Sequence, residues 1–273
     1  MKLGVRAHDY GRHSAAKLAE MIAAEGFEAV QLAVPKAIEG IESYETMTES
    51  DACVIYEAFA KKQIDISVLG CYIDISCMNS ELRLEHLRRF ERALCWGKEL
   101  QAGMVGTESS FGIVSMEDKK KTFGLVKDGV ARIVEQAEAC GVNVGIEPVA
   151  AHALYSAEWT RELLDFIDSS RLKVIFDPVN LLTLETIENQ ETLWDACFAA
   201  FGKDIGAVHL KDFTVEKNGR FAPCLLGEGL MKYDRIFEWL HRENSSISIL
   251  REEIVPRTAG QDIKFMKNIL DRQ

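Results

Sequence analysis

Eight short apolar runs punctuate the chain: "LGVRAH" (3–8), "AVQLAV" (29–34), "ISVLGCY" (66–72), "GMVGTES" (103–109), "NVGIEPV" (143–149), "KVIFDPV" (173–179), "GAVHLKD" (206–212) and "SISILREEI" (246–254). Their length and their Val, Ile and Leu bias predict strands, most of them buried on both faces. The stretches between them have helical spacing and helical punctuation. Ser14 is placed to cap "AAKLAEMIAAE", which Gly26 ends; "DKKKTFGLVKDGVARIVEQAEAC" runs to Gly141; "AEWTRELLDFI" follows Ser156; "ETLWDACFAAF" runs to Gly202. Strand and helix alternate at intervals of about 30 residues, and no Pro/Gly/Ser linker or charge block separates two halves. The pattern predicts an α/β protein, a (β/α)8 TIM barrel occupying residues 1–273 as a single domain. The rival architecture, an open doubly wound sheet, would carry G-x-G-x-x-G after its first strand, and this chain has none there. "GEG" at 227–229 is too short and too late, and reads as a loop.

Composition narrows the partners. The chain has 273 residues, 47% of them hydrophobic, which is enough for a large core, and a formal charge of −11 that repels nucleic acid and anionic membrane surfaces. Small molecules and metal cations suit that field better. Seven cysteines with no C-x-x-C pair imply free thiols. The opening "MKLGVRAHDYGRH" lacks the apolar centre of a signal peptide, and no run approaches a membrane span, so a cytoplasmic location is expected.

The last four strands share a feature that the first four mostly lack. "NVGIEPV" ends in Glu147, "KVIFDPV" in Asp177, "GAVHLKD" in His209, and "SISILREEI" in Glu252 or Glu253. In a parallel barrel all C-terminal strand ends open on one face, so these side chains converge although far apart in sequence. A carboxylate at the rim of an apolar strand is costly to desolvate, and a shared cation offsets that cost. Pro148 and Pro178 follow the two acids, hold them extended and end the ladder. A single such acid reads as a helix cap or loop acceptor, and a single strand histidine as a core residue. Four at one register point to a metal site.

"GIEPV", "FDPVN", "HLKD" and "ILREE" resemble the strand ends of the sugar phosphate isomerase/epimerase family, the xylose isomerase-like barrels that include ketose 3-epimerases, hydroxypyruvate isomerase, inosose dehydratase and, more distantly, endonuclease IV. "EGFEAVQL" is similar to the family's second-strand entry, and "PCLLGEGLMKYDRIFEWL" to the loop and helix before its last strand. The resemblance implies one divalent ion held by Glu147, Asp177, His209 and Glu252. Strand alternation lets only one of Glu252 and Glu253 face the pocket, and Glu252 matches the family's position.

Three carboxylates and one imidazole favour Mn2+, with Mg2+, Co2+ or Zn2+ as alternatives. Such an ion would polarise a ketose carbonyl and stabilise an enediolate, with Glu147 and Glu252 as the acid–base pair on either side. Return of the proton to the opposite face is epimerisation; return to the neighbouring carbon is isomerisation. The expected substrate is thus a ketose or sugar phosphate. A polyol dehydratase of the inosose type and a sugar- or metal-binding protein without catalysis are the alternatives. Lys211 is placed to hold a substrate oxygen or phosphate, or to pair with Asp212; His8 and Glu108, at the ends of the first and fourth strands, are candidates for sugar hydroxyls or else simply finish their loops. Asn180 stands where several epimerases and the endonuclease branch have histidine. That departure, six histidines in all and an acidic surface argue against a trinuclear-zinc nuclease. His152, close after Glu147, is a candidate for the pocket lining but reads first as a solvated loop histidine; Trp159 and Trp194 read as packing residues before sugar platforms, and "KKK" at 119–121 as a solvated helix turn. Family members are often oligomers, so a homo-oligomer is expected from the resemblance.

Overall fold

The structure is a computed structural model and describes residues 1–243 and 246–271. Its strands are β1 (Lys2–Arg6), β2 (Ala29–Leu32), β3 (Asp65–Gly70), β4 (Met104–Glu108), β5 (Val144–Glu147), β6 (Leu172–Phe176), β7 (Ile205–Leu210), β8 (Asp212–Val215), β9 (Phe221–Cys224) and β10 (Ser248–Arg251). Its helices are α1 (Ala15–Glu25), α2 (Val34–Ala37), α3 (Glu49–Lys61), α4 (Ser80–Glu99), α5 (Met116–Cys140), α6 (Ala157–Ile167), α7 (Pro178–Leu181), α8 (Gln190–Phe201), α9 (Asp234–Glu243) and α10 (Ala259–Asp271). Eight parallel strands close a barrel in the order β1-β10-β7-β6-β5-β4-β3-β2, and β8 and β9 form a separate antiparallel pair.

All eight apolar runs are barrel strands. The foreseen caps are present: Ser14 and Ser156 accept the N–H of Lys17 and Trp159, and Gly26 and Gly141 close their helices in the left-handed region. "GAVHLKD" is not one strand, however. The ladder breaks at Lys211, and Asp212 begins a hairpin in which Asp212 pairs with Cys224 and Val215 with Phe221.

Strand alternation sorts the side chains. Ala29, Val68, Met104, Ile175, Ala207 and Leu250 fill the barrel's interior as a separate apolar cluster. Gly106 and Gly145 leave room there: a Cβ on Gly106 would lie 2.7 Å from Ile175 Cδ1, and one on Gly145 would lie 2.7 Å from Met104 Sδ. Residues one position later face the helices. Phe176, for example, lies edge-on to Trp194, Phe198 and Phe201 of α8, which confirms Trp194 as packing. Trp159 likewise packs on Phe123 and Tyr155. Two positions beyond the interior layer, the chain turns inward again, at Glu108, Glu147, Asp177, His209 and Glu252.

Candidate functional site

The inward layer at the C-terminal mouth consists of polar groups on an apolar floor. Glu147, Asp177, His209 and Glu252 are all buried, His209 and Asp177 with no exposure at all. Each is aimed by its predecessor. Phe176 is fixed among the α8 aromatics, and Val208 is buried on the helix side. Arg251 reaches outward, where its Nε donates to Asp262 Oδ2 of α10 at 3.0 Å and its guanidinium also donates to the carbonyls of Cys224 and Glu252. Glu252 must therefore point in. Glu253 is exposed and has φ of 57°, so the alternation argument selects Glu252 as the inward residue.

One ligand atom each of Glu147, Asp177 and His209 fits within 4.8 Å of the others. His209 Nδ1 lies 3.2 Å from Glu147 Oε2 and 3.4 Å from Glu252 Oε1. Asp177 also serves as the cap that an isolated strand-end acid would suggest: its Oδ1 accepts the Asn180 N–H at the start of α7, while Oδ2 faces the cluster. Asn180 Nδ2 donates to Glu147 Oε1 at 2.6 Å. Asn180 therefore orients Glu147 as well as lining the mouth.

Lys211 departs from one of its expected alternatives. It does not pair with Asp212; its buried ammonium lies 2.8 Å from Asp177 Oδ2 and 3.2 Å from Glu252 Oε2. The physical reason is alternation again, since Lys211 follows His209 by two and enters the same layer. Asp212 instead accepts four backbone N–H groups, from Phe213 and Met231 on Oδ1 and from Gly227 and Gly229 on Oδ2. The "GEG" loop is thereby clamped beside the mouth. Asp212→Ala should cost about 3 kcal/mol, because charge-assisted hydrogen bonds are lost together. Urea unfolding checks the loss, and amide exchange at Gly227, Gly229 and Met231 should accelerate; protection equal to the parent's would refute the clamp.

The charges set each other's protonation. Burial raises Asp177, Lys211 opposes it, and the carboxyl settles at about 6. Burial also works against ionisation of Glu252, yet His209, Lys211 and Arg6 hold it well below the ordinary carboxylate range. Burial alone would lower His209, but Glu252, Glu147 and Asp177 outweigh it and push the imidazole up to about 9.

Above this cluster opens a cavity of about 350 Å3, whose lining includes Arg6, His8, Lys36, Tyr72, Glu108, His152, Asn180, Lys211 and Glu252. A cavity of about 690 Å3 at the opposite end, around Asp65, Ser67, Gln101 and Lys173, has no comparable convergence of carboxylates and imidazole. His8 and Glu108 thus reach the mouth as expected. His152 corrects its reading as a solvated loop residue: it is buried, with Nδ1 3.2 Å from Glu108 Oε2. Burial, then Glu147 and Glu252, push Glu108 up to about 8, and burial lowers His152. Lys119 corrects the solvated "KKK" turn. It is buried, donates to the Ala150 carbonyl at 2.5 Å and lies over the Tyr155 ring, because the first of the three lysines falls on the inner face of α5. Arg6, Lys36 and Tyr72 were not foreseen. For Arg6 the signal was present, two residues past Gly4 in the same alternation.

The donors suit a divalent cation. Both ring nitrogens of the fully buried His209 lack a hydrogen-bond partner, and carboxylate oxygens surround one of them. Glu147, Asp177 and His209 could bind a metal ion, and the oxygen-rich set suits a hard or borderline one.

The family model described as "Xylose isomerase-like TIM barrel" matches residues 19–269. No curated protein sequence matches the chain. Among solved structures, a D-tagatose 3-epimerase-like protein is 19% identical, covers 100% of this chain and 98% of its own, and superposes with a TM-score of 0.79. D-Psicose 3-epimerase with D-tagatose from Clostridium cellulolyticum H10 is 18% identical over 99% of each chain, with a TM-score of 0.77. An IOLI protein with a bound zinc atom is 16% identical over 100% and 99%, with a TM-score of 0.78. At these identities the likeness is one of fold.

Proposed function

From the premise that this chain belongs to the xylose isomerase-like TIM barrel family, we propose that it is a divalent-metal-dependent isomerase or epimerase of a ketose. The observation that carries this reading is the pair Glu147 and Glu252, from strand ends separated by β6 and β7, both brought to His209 beneath a sugar-sized cavity.

Glu147, Asp177, His209 and Glu252 would hold the cation, Mn2+ by preference. Once bound, it would supply electrophilic polarisation of the ketose carbonyl. The chain's own groups do the rest. The Glu252 carboxylate, ionised beside Lys211 and Arg6, is placed to remove a proton from the carbon beside the carbonyl. Glu147, held by Asn180 from another direction, is suited to returning one. Lys211 donates to substrate oxygen from the cavity floor, and the Glu108 and His152 pair faces sugar hydroxyls from the opposite wall. The test is solvent deuterium incorporation into a panel of ketoses with Mn2+ present. Exchange at one carbon supports the reading, and tight binding of sugar with no exchange for any ketose overturns it. Product stereochemistry then separates epimerisation from isomerisation.

Cation binding itself has a sign that can be checked. His209, at about 9, carries a proton at neutral pH, and a metal ligand must be neutral. Binding at pH 7 should therefore release about one proton, and affinity should fall roughly tenfold per unit as pH drops from about 8 to 6. Calorimetric titrations of Mn2+ in PIPES and in Tris, whose ionisation heats differ, measure the release. Equal heats in the two buffers would show that His209 is not displaced from its proton.

A further inference from the structure

One wall of the cavity is built from the turns after the first two strands. Arg6 ends β1, His8 lies in the short turn after it (Ala7–Tyr10), and Lys36 lies in α2; all three line the cavity together with Tyr72. Arg6 is already committed, with Nε donating to Asp9 Oδ1 at 2.9 Å and Nη1 lying 3.3 Å from Glu252 Oε2. Lys36 is not. Among the described residues no carboxylate comes within ion-pair distance of it, and its ammonium lies 3.9 Å over the face of the Tyr72 ring. Beside it, His8 Nδ1 is buried without a partner, and the His8 ring stands edge-on to Tyr72. Gln31 Nε2 donates to Tyr72 Oη at 3.1 Å, which leaves the phenol's own proton free for a ligand.

Lys36, solvent-accessible at the rim of the cavity, is therefore the charge on this wall that no carboxylate among the described residues pairs with, in a protein whose formal charge is −11. Burial and the charge of Arg6 hold Lys36 below its ordinary value, and burial, Arg6 and Lys36 together bring His8 down to about 4. Sugar hydroxyls can hydrogen-bond to such a wall, whereas an anion can in addition make a charge-assisted contact with the Lys36 ammonium. Of the carboxylates at the mouth, Glu252 meets this wall through Arg6, while Glu147 ends β5 and Asp177 follows β6.

The geometry points to an anion subsite at Lys36, completed by His8 and the Tyr72 hydroxyl, that takes the carboxylate or phosphate borne by the end of the ketose remote from the reacting carbon. This rests on the ketose reading above and adds a substrate class to it: acidic ketoses, with neutral ones as poor analogues. A cavity of about 350 Å3 accommodates a hexose-sized molecule.

The experiment measures binding of D-fructose, D-fructose 6-phosphate and D-tagaturonate to the Mn2+-loaded protein at constant ionic strength, with deuterium exchange followed in parallel. At least one anionic ketose should bind about 10- to 100-fold more tightly than D-fructose; which one does so tells phosphate from carboxylate. Lys36→Met should reduce the ratio to about threefold or less, Lys36→Arg should keep most of it, and Lys120→Met on the exposed face of α5 should leave it unaltered. Equal affinity for all three sugars, or a preference that survives Lys36→Met, overturns the subsite. If none of the sugars binds, inorganic phosphate is the probe, and failure of Lys36→Met to weaken it overturns the proposal. Lys36-dependent binding of anionic ketoses with no exchange on any sugar would leave the subsite standing and sink the isomerase reading instead.

Discussion

Glu252→Gln and Glu147→Gln should each lower the rate of deuterium exchange into the ketose substrate by about 10^3-fold, within the range expected for loss of a positioned acid or base. The amide keeps the shape of the carboxylate and removes its basicity. It also removes one charge from the cation's surroundings, so the two effects must be separated. Bound metal measured by elemental analysis does this: a variant that retains the ion yet has lost exchange has lost proton transfer, whereas one that has lost both was a ligand first. The two positions should differ in stability. Glu252 faces His209, Lys211 and Arg6, so its neutralisation leaves three cations undercompensated, while Glu147 faces Asn180 and His209. Retention of more than about a tenth of the parent's kcat by either variant would remove that residue from the chemistry.

The second large effect is on stability. Lys211 is buried between Asp177 and Glu252 at 2.8 and 3.2 Å. Lys211→Met keeps the bulk of the stem and deletes the charge, so two carboxylates are left facing each other in the interior. Removing one partner of a buried ion pair costs about 3–5 kcal/mol, a fall in Tm on the order of 10 °C for a chain of this size. Divalent cation should restore part of that loss, because it supplies positive charge to the same oxygens, and stabilisation by ligand follows mass action. Differential scanning calorimetry with EDTA and with Mn2+ gives both numbers. An unchanged Tm in EDTA would mean that Lys211 is not the counter-charge of this cluster.

Much of this was legible because a parallel barrel repeats one rule. Apolar runs of strand length, spaced by capped helices, mark the eight strands, and the last inward position of each run marks the mouth. Glu147, Asp177, His209 and Glu252 follow from that rule, as do Glu108 and the inward turn of Lys211. What escaped was set by loops or by tertiary contact. His152 follows the Glu147 strand by five residues, and only the fold of its loop, where the Ala153 and Leu154 N–H groups donate to Ser110 and Ser109, brings it inside. Lys119 is buried because the carbonyl of Ala150 meets it, a contact across 31 positions. The hairpin after Lys211 carried a signal, Asn218–Gly219, a pair that favours tight turns, but the adjoining strands are too short to show alternation.

The barrel is sealed where β1 meets β10, with Lys2 opposite Ser248 and Val5 opposite Arg251, and the contact of Arg6 with Glu252 spans that seam. The ring at the mouth therefore cannot exist as a unit until residue 252 has left the ribosome. During synthesis the nascent polypeptide passes through every intermediate length with its carboxylates still dispersed. A cation held by this ring would thus be acquired late, from whichever ions surround the finished fold.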